Sequence, residues 1–295
     1  MYLAKRIQNV IPSLTLAIEA KAKRLKKEGV DVISFSAGEP DFDTPGRIKQ
    51  AAVDSLSKGF TKYTPASGTL ELREAISEKL ERENHLSYSP EQIVVSCGAK
   101  HAIYNALQVL IEEGDEVIIP SPYWLSYPEI VTLAGGESVI LKTEFKDGYR
   151  FSPDALSKLV TRKTKLLILN SPSNPTGAVM TKELLNEIIA VAKAHSFLIL
   201  SDEIYEKLIF DGQTHYSIGA LDPSILNRTI TIGGASKTYA MTGWRLGFSA
   251  SPKPIAEACA SLQSHSTSNP TSFAQMGYLE ALKSAASEVE TMRLA

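Results

Sequence analysis

From about residue 93 the chain alternates between short runs of β-branched and aliphatic residues and longer stretches whose apolar positions recur every three or four residues. This is the pattern of an α/β protein, a mostly parallel sheet with helices on its faces. Seven runs read as strands, at residues 93–97, 116–119, 138–141, 166–169, 197–200, 229–232 and 246–249. Their near-continuous hydrophobicity predicts strands buried on both faces. After the first run, Ala99, Ala102, Ile103, Ala106, Leu107, Leu110 and Ile111 keep helical spacing until Gly114 stops it. Thr181 is placed to cap a further helix whose inward positions are Leu184, Leu185, Ile188, Ile189 and Ala192.

The first 45 or so residues differ. A helix-like stretch over residues 13–27 is followed by Val32, Ile33, Ser34 and Phe35 and then by the turn-rich Ala37-Gly38-Glu39-Pro40-Asp41. Such a segment is too short for its own core. Residues 1–45 are therefore expected to be the N-terminal segment of a smaller domain completed by other parts of the chain, with residues 46–295 forming the large domain. No internal repeat or low-complexity linker is visible.

Composition narrows the class. With 295 residues, 43% hydrophobic and 22% charged, the chain is an ordinary globular sequence, not a disordered or fibrous one. Its longest unbroken apolar run is five residues, 188–192, against the ~20 of a spanning helix. The start lacks the apolar stretch of a secretory signal, so a cytoplasmic location and no membrane partner are expected. A net charge of −2 supplies no basic field for nucleic acid. Cys97 and Cys259 cannot form a disulfide framework or a zinc site and read as buried small hydrophobes. His85, His101, His195, His215 and His265 show no metal-ligand spacing, so no metal is expected.

Open parallel sheets bind ligands at the carboxyl ends of their strands, so the residues just past the runs matter most. Cys97-Gly98-Ala99-Lys100 opens a helix whose free N–H groups suit a phosphate. Asn170-Ser171-Pro172-Ser173-Asn174-Pro175-Thr176-Gly177 is a stiff loop able to hold the Asn174 amide still. Ser201-Asp202-Glu203-Ile204-Tyr205 places a carboxylate at a buried strand end, which is costly unless it meets a cation. Gly233-Gly234-Ala235-Ser236-Lys237, Arg245 and Ser121-Pro122-Tyr123-Trp124 succeed or flank other runs. Each alone has an ordinary reading as a turn, a helix cap, a solvated charge or a packing residue. Together they supply an anion cradle, an aromatic plate, an amide, a phenol, a carboxylate and a lysine, the parts that hold pyridoxal phosphate.

At these residues, and at Ser36-Ala37-Gly38-Glu39-Pro40-Asp41-Phe42, Tyr63-Thr64-Pro65 and Met241-Thr242-Gly243-Trp244-Arg245-Leu246-Gly247, the chain resembles the class I pyridoxal-phosphate aminotransferases of fold type I. The likeness runs through the chain in the family's order, most closely to the branch of bacterial aspartate and aspartate/prephenate aminotransferases. It implies that Lys237 binds the cofactor covalently and then moves a proton as base. Asp202 would keep the ring nitrogen protonated, Tyr205 and Asn174 would bond the phenolic oxygen, and Trp124 would stack on the ring. Gly98, Ala99, Lys100, Ser236 and Arg245 would hold the phosphate, joined by Tyr63 from a second subunit, which implies a homodimer. Gly38, Trp124 and Asn174 would border the substrate α-carboxylate. Thr15 and Lys100 would meet its distal carboxylate, favouring aspartate or glutamate and 2-oxo acids by charge-assisted bonding.

Two departures from the family accompany this resemblance. Gly234 stands where many relatives carry a second phosphate-binding serine. The chain also stops at Ala295, in what reads as the helix leading into the family's small domain, where members continue for on the order of 100 residues. That region should carry the arginine that grips the α-carboxylate, so the expectation is a truncated chain with an incomplete small domain, binding cofactor but turning over weakly alone. A carbon–sulfur lyase of the same fold is the alternative activity. A non-catalytic cofactor module joined to a DNA-binding domain finds no helix-turn-helix or basic stripe here.

Overall fold

The computed structural model describes residues 2–12, 14–35 and 38–295. Ser13, at the start of the predicted first helix, and Ser36 and Ala37 of the turn-rich stretch lie outside them. Each of the seven predicted runs overlaps a strand: β1 (Ile93–Ser96), β2 (Glu116–Ser121), β3 (Glu137–Lys142), β4 (Thr164–Asn170), β5 (Leu198–Asp202), β6 (Thr229–Gly234) and β7 (Gly247–Ala250). They form one sheet in the order β1-β7-β6-β5-β4-β2-β3. β3, β2, β4, β5 and β6 pair in parallel, while β7 runs antiparallel to both β6 and β1.

Alternation along the strands divides the side chains between two packed layers, because successive residues of a strand point to opposite faces. Val117 and Ile119 of β2, Leu166 and Ile168 of β4 and Leu200 of β5 meet Ala102, Ile103, Ala106 and Leu107 of the helix Ala99–Leu110. Ile118, Leu167, Leu169 and Ile199 meet Leu184, Leu185, Ile188 and Ile189 of the helix Lys182–His195. That helix is capped as expected, the Thr181 hydroxyl accepting from Leu184 N at 3.4 Å. A third cluster joins Ile93, Val95 and Phe248 to the helices Gly46–Ser57, Leu70–Asn84 and Ser272–Ser284.

Two sequence expectations change. β3 is not buried on both faces: it is the sheet edge, with Glu137 and Lys142 exposed and Ser138, Val139 and Ile140 half-buried. With β2 as its sole strand neighbour among the described residues, it has one unpaired edge there. Cys259 is buried, but Cys97 is half-buried at the β1 end, where its carbonyl accepts from Arg245.

The N-terminal segment lies on this body rather than in it. Its helix Leu14–Lys27 is largely exposed, and Tyr2, Leu3, Ile7, Ile11, Leu14, Ile18, Val30, Ile33 and Phe35 are all exposed apolar residues. Val32–Phe35 form no strand among the described residues. Ile11 N donates to Glu129 at 2.8 Å, tying the segment to the helix Ser126–Ala134. No helix among the described residues is long and apolar enough to cross a membrane.

β7 depends on a close backbone approach. A Cβ on Gly247 would sit 2.2 Å from Ala99 N and 2.6 Å from the Gly98 carbonyl carbon. Because the obstruction is main chain, Gly247→Ala is expected to destabilise the fold by about 1–3 kcal/mol, the usual range for overpacking. A lowered midpoint in denaturant unfolding checks this; an unchanged midpoint refutes it.

Candidate active site

Parallel strands deliver their carboxyl ends to one edge of the sheet, and an antiparallel strand brings its amino end to that same edge. β1, β2, β4, β5 and β6 therefore present there the residues at and just beyond their carboxyl ends, whereas β7 presents Arg245, which precedes it. Register completes the alignment: Ser96, Gly247 and Gly234 lie in one row, and Ile232, Asp202 and Asn170 in another. Over this edge opens a cleft of about 680 Å³. Thr15, Gly38, Ala99, Lys100, Trp124, Asn174, Asp202, Tyr205, Ser236, Lys237 and Arg245 all line it. Gly98 stands at its margin against Arg245. Tyr63 does not join them, being 90% exposed on the surface.

One end of the cleft is built for an anion. No side chain caps the helix Ala99–Leu110, so its first N–H groups and its positive dipole end are left to a ligand. Gly98 has φ +91°, and a Cβ there would lie 2.4 Å from Arg245 Nη2. Only glycine allows the guanidinium to lie this close to the helix start. Arg245 is held by its bonds to Thr242 O at 2.9 Å and Cys97 O at 3.4 Å. Gly234 has no room for the serine of the family pattern, since a Cβ there would come 2.9 Å from Gly247 Cα and 3.0 Å from Leu246 O.

Asp202 marks the floor. It is buried, and one carboxylate oxygen accepts from the Tyr127 hydroxyl at 2.7 Å while the other accepts from Ile204 N at 3.2 Å. Burial pushes its carboxyl up to about 6, with the Glu203 charge acting in the same direction and the two hydrogen bonds opposing. Tyr127 is a site residue that sequence reasoning missed. Its signal was available in the spacing, three residues beyond Trp124 after a strand end, and the two rings pack edge to face at 5.3 Å.

Asn174 Nδ2 donates to the Tyr205 hydroxyl at 3.4 Å, and the loop is steadied by Asn174 N donating to Asn170 Oδ1 at 2.7 Å. Lys237 Nζ lies 5.8 Å from the Tyr205 ring centre and donates to the Gly38 carbonyl. Burial holds the Lys237 ammonium below its ordinary value; Arg245 adds to this, and Glu39 opposes it. Lys100 Nζ sits 4.8 Å over the Trp124 ring, its pKa lowered by burial and then by Arg245. The cleft thus pairs an amine able to lose its proton with a buried carboxylate, beside an anion cradle.

Comparison with known proteins gives the family of the chain. The family model for aminotransferase class I and II matches residues 30–295. The chain is 50% identical over 293 residues to an aspartate aminotransferase of Bacillus subtilis, covering 99% of this chain and 75% of that relative. It is 47% identical over 280 residues to an aspartate/prephenate aminotransferase of Thermus thermophilus, covering 95% of this chain and 72% of the relative. The solved structure of the Thermus thermophilus aspartate aminotransferase with maleate superposes on the whole chain and 77% of its own length, with a TM-score of 0.97 at 45% identity. The chain belongs to the class I and II aminotransferase family.

Proposed function

We propose that this aminotransferase moves the α-amino group between aspartate, or glutamate, and a 2-oxo acid, with pyridoxal phosphate as cofactor and a homodimer as the working form. The observation that carries the reading is the convergence of Lys237, Asp202, Arg245 and an uncapped helix N-terminus on one cleft. Each element fits the cofactor. The buried Asp202 carboxylate is bonded by neutral donors, a hydroxyl and an amide, and a protonated ring nitrogen matches its charge. The helix start and Arg245 suit a phosphate.

When bound, pyridoxal phosphate supplies a carbonyl that condenses with amines and a protonated ring that accepts the electron pair released from the substrate Cα. Lys237 Nζ would hold the cofactor, then take up and return the Cα proton, a role favoured by burial that disfavours its ammonium form. Asp202 would keep the ring nitrogen protonated, with Tyr127 holding the carboxylate in place. Asn174 and Tyr205 would hold the phenolic oxygen, and Trp124 the ring face. The N–H groups around Gly98, Ala99 and Lys100, with Ser236 and Arg245, would hold the phosphate. Gly38, Trp124 and Asn174 would border the α-carboxylate, and Thr15 and Lys100 the distal one.

Maleate, the compound with the Thermus thermophilus structure, is a dicarboxylate, which supports a dicarboxylic substrate here. Tyr63 supports the dimer: a tyrosine 90% exposed sits on a loop pinned by Gln263 at Ala66 O and by Gln275 at Thr64 Oγ1. Rigid presentation of an exposed phenol fits donation to a second copy's phosphate. The exposed apolar residues of the first 35 positions support reading residues 1–45 as part of a second domain. A cytoplasmic location accords with the sequence.

Aspartate and 2-oxoglutarate added to the loaded protein are expected to yield oxaloacetate and glutamate. Pyruvate and ammonia from the amino donor would instead establish a lyase. Lys100→Met is expected to raise KM for aspartate about 10–100-fold, the worth of a hydrogen bond to a charged group, while leaving KM for alanine little changed. Equal effects on both amino acids refute a distal-carboxylate role.

Asp202 also sets a pH dependence. Below about 6 the free protein carries Asp202 protonated, so pairing it with a ring cation releases a proton. Affinity for pyridoxal phosphate should therefore fall as pH drops below 6, approaching about tenfold per unit. Stability of the unloaded protein responds in the opposite sense. A carboxyl raised above its ordinary value of 3.8 favours folding below that value, and the contribution is lost as pH rises through about 6. Equilibrium cofactor binding between pH 5 and 7 checks the first statement, and a flat profile refutes it.

A further inference from the structure

The turn after β5 divides its residues cleanly. Asp202, Ile204 and Tyr205 line the cleft. Glu203, Glu206 and Lys207 turn the other way, and all three hold the C-terminal end of the helix Leu70–Asn84. Glu206 accepts from Lys79 Nζ and from Asn84 Nδ2, the latter at 2.7 Å. Glu203 accepts from Asn84 Nδ2 at 3.3 Å, from Ser217 Oγ at 2.5 Å and from Ser201 Oγ at 2.8 Å, and lies 3.0 Å from His215 Nε2. Lys207 pairs with Glu83 at 2.9 Å. Lys79, Asn84, Glu203 and Ser217 are buried. Backbone bonds close the turn, Glu203 N donating to Ile232 O at 2.9 Å and Glu206 N to Glu203 O at 3.0 Å.

Glu203, Glu206 and His215 place ligand-type atoms within 4.8 Å of one another, a spacing a divalent cation could bridge. The Lys79 ammonium and the Asn84 amide already serve those carboxylates as donors, so the cluster is a bracket rather than a metal site. A buried ion pair of this kind does more for geometry than for net stability. Its carboxylates alternate with the two residues of the turn that the cofactor reading uses.

We infer that Glu203 and Glu206 are positioning residues: through Lys79 and Asn84 they fix the turn that aims the Tyr205 hydroxyl into the cleft. The inference rests on the proposed role of Tyr205 in holding the cofactor. It reaches the site without touching it, because a displaced bracket rotates residues 203–206 about the end of β5 and carries the phenol with them.

A double-mutant cycle read by equilibrium binding of pyridoxal phosphate to the unloaded protein tests this. Tyr205→Phe alone is expected to weaken binding about tenfold, as loss of a hydrogen bond to a charged group does. Glu206→Gln alone should weaken it severalfold. The double variant should bind within about twofold of Tyr205→Phe, because the second change acts through a hydroxyl already removed. Equal losses from Glu206→Gln in both backgrounds, or no loss in the native background, overturn the inference. No loss from Tyr205→Phe alone overturns the reading of Tyr205 instead. Should Glu206→Gln fail to fold, Lys79→Gln, which keeps a donor toward Glu206, completes the same cycle with the same outcomes.

Discussion

Lys237→Ala is expected to lower kcat by about 10²–10⁴-fold, the contribution of a positioned general acid–base group. Burial and the Arg245 charge disfavour the ammonium form of its Nζ atom, as they do for Lys100. Lys100, the other lysine lining the cleft, stacks over Trp124 and is read as a carboxylate partner. The fold should survive, since Lys237 is only half-buried and its bond to Gly38 ties it to the N-terminal segment rather than to the core. Borohydride treatment of the loaded native protein followed by peptide mass analysis should place the cofactor on Lys237. Attachment at another lysine, or near-native kcat in Lys237→Ala, refutes the assignment.

Asp202→Asn is the second large effect. Asparagine keeps the shape and can still accept from Tyr127, but it removes the charge that stabilises a protonated ring nitrogen. Loss of such a preorganised electrostatic partner in a water-poor site costs about 10²–10³-fold in kcat. Tyr127→Phe provides the contrast. It leaves the charge and removes one bond at 2.7 Å, so its effect should be about tenfold or somewhat more. Steady-state kinetics on both variants, with unfolding midpoints measured alongside, separate charge from orientation. Equal losses in the two would mean that orientation alone matters.

Much of the site was legible because its information is local. Lys237 comes after a strand, Asp202 ends one, and Gly98 opens a helix, so hydrophobic periodicity already placed them at element boundaries where ligands bind. Thr181 as a helix cap is equally local, being a bond between residues three apart. Less visible was Tyr127, whose bond to Asp202 spans 75 positions. The bracket around Glu203 was invisible for the same reason. Local sequence offers the carboxylate beside Asp202 the Ser201 hydroxyl alone, whereas the fold adds Asn84, Ser217 and His215.

The chain by itself therefore determined the element types, the strand count and the chemical groups available at strand ends, since these depend on side-chain periodicity and on neighbours within a few residues. Tertiary structure decided the rest. It made β7 antiparallel, which carries Arg245 to the edge where the other strands end. It left β3 half-covered at the sheet edge and Tyr63 on the surface. It also turned Asp202 and Glu203, adjacent in the chain, to opposite faces with opposite tasks. Register and packing partners are relations between distant positions, selected by which faces bury together, and no local pattern of residues encodes them.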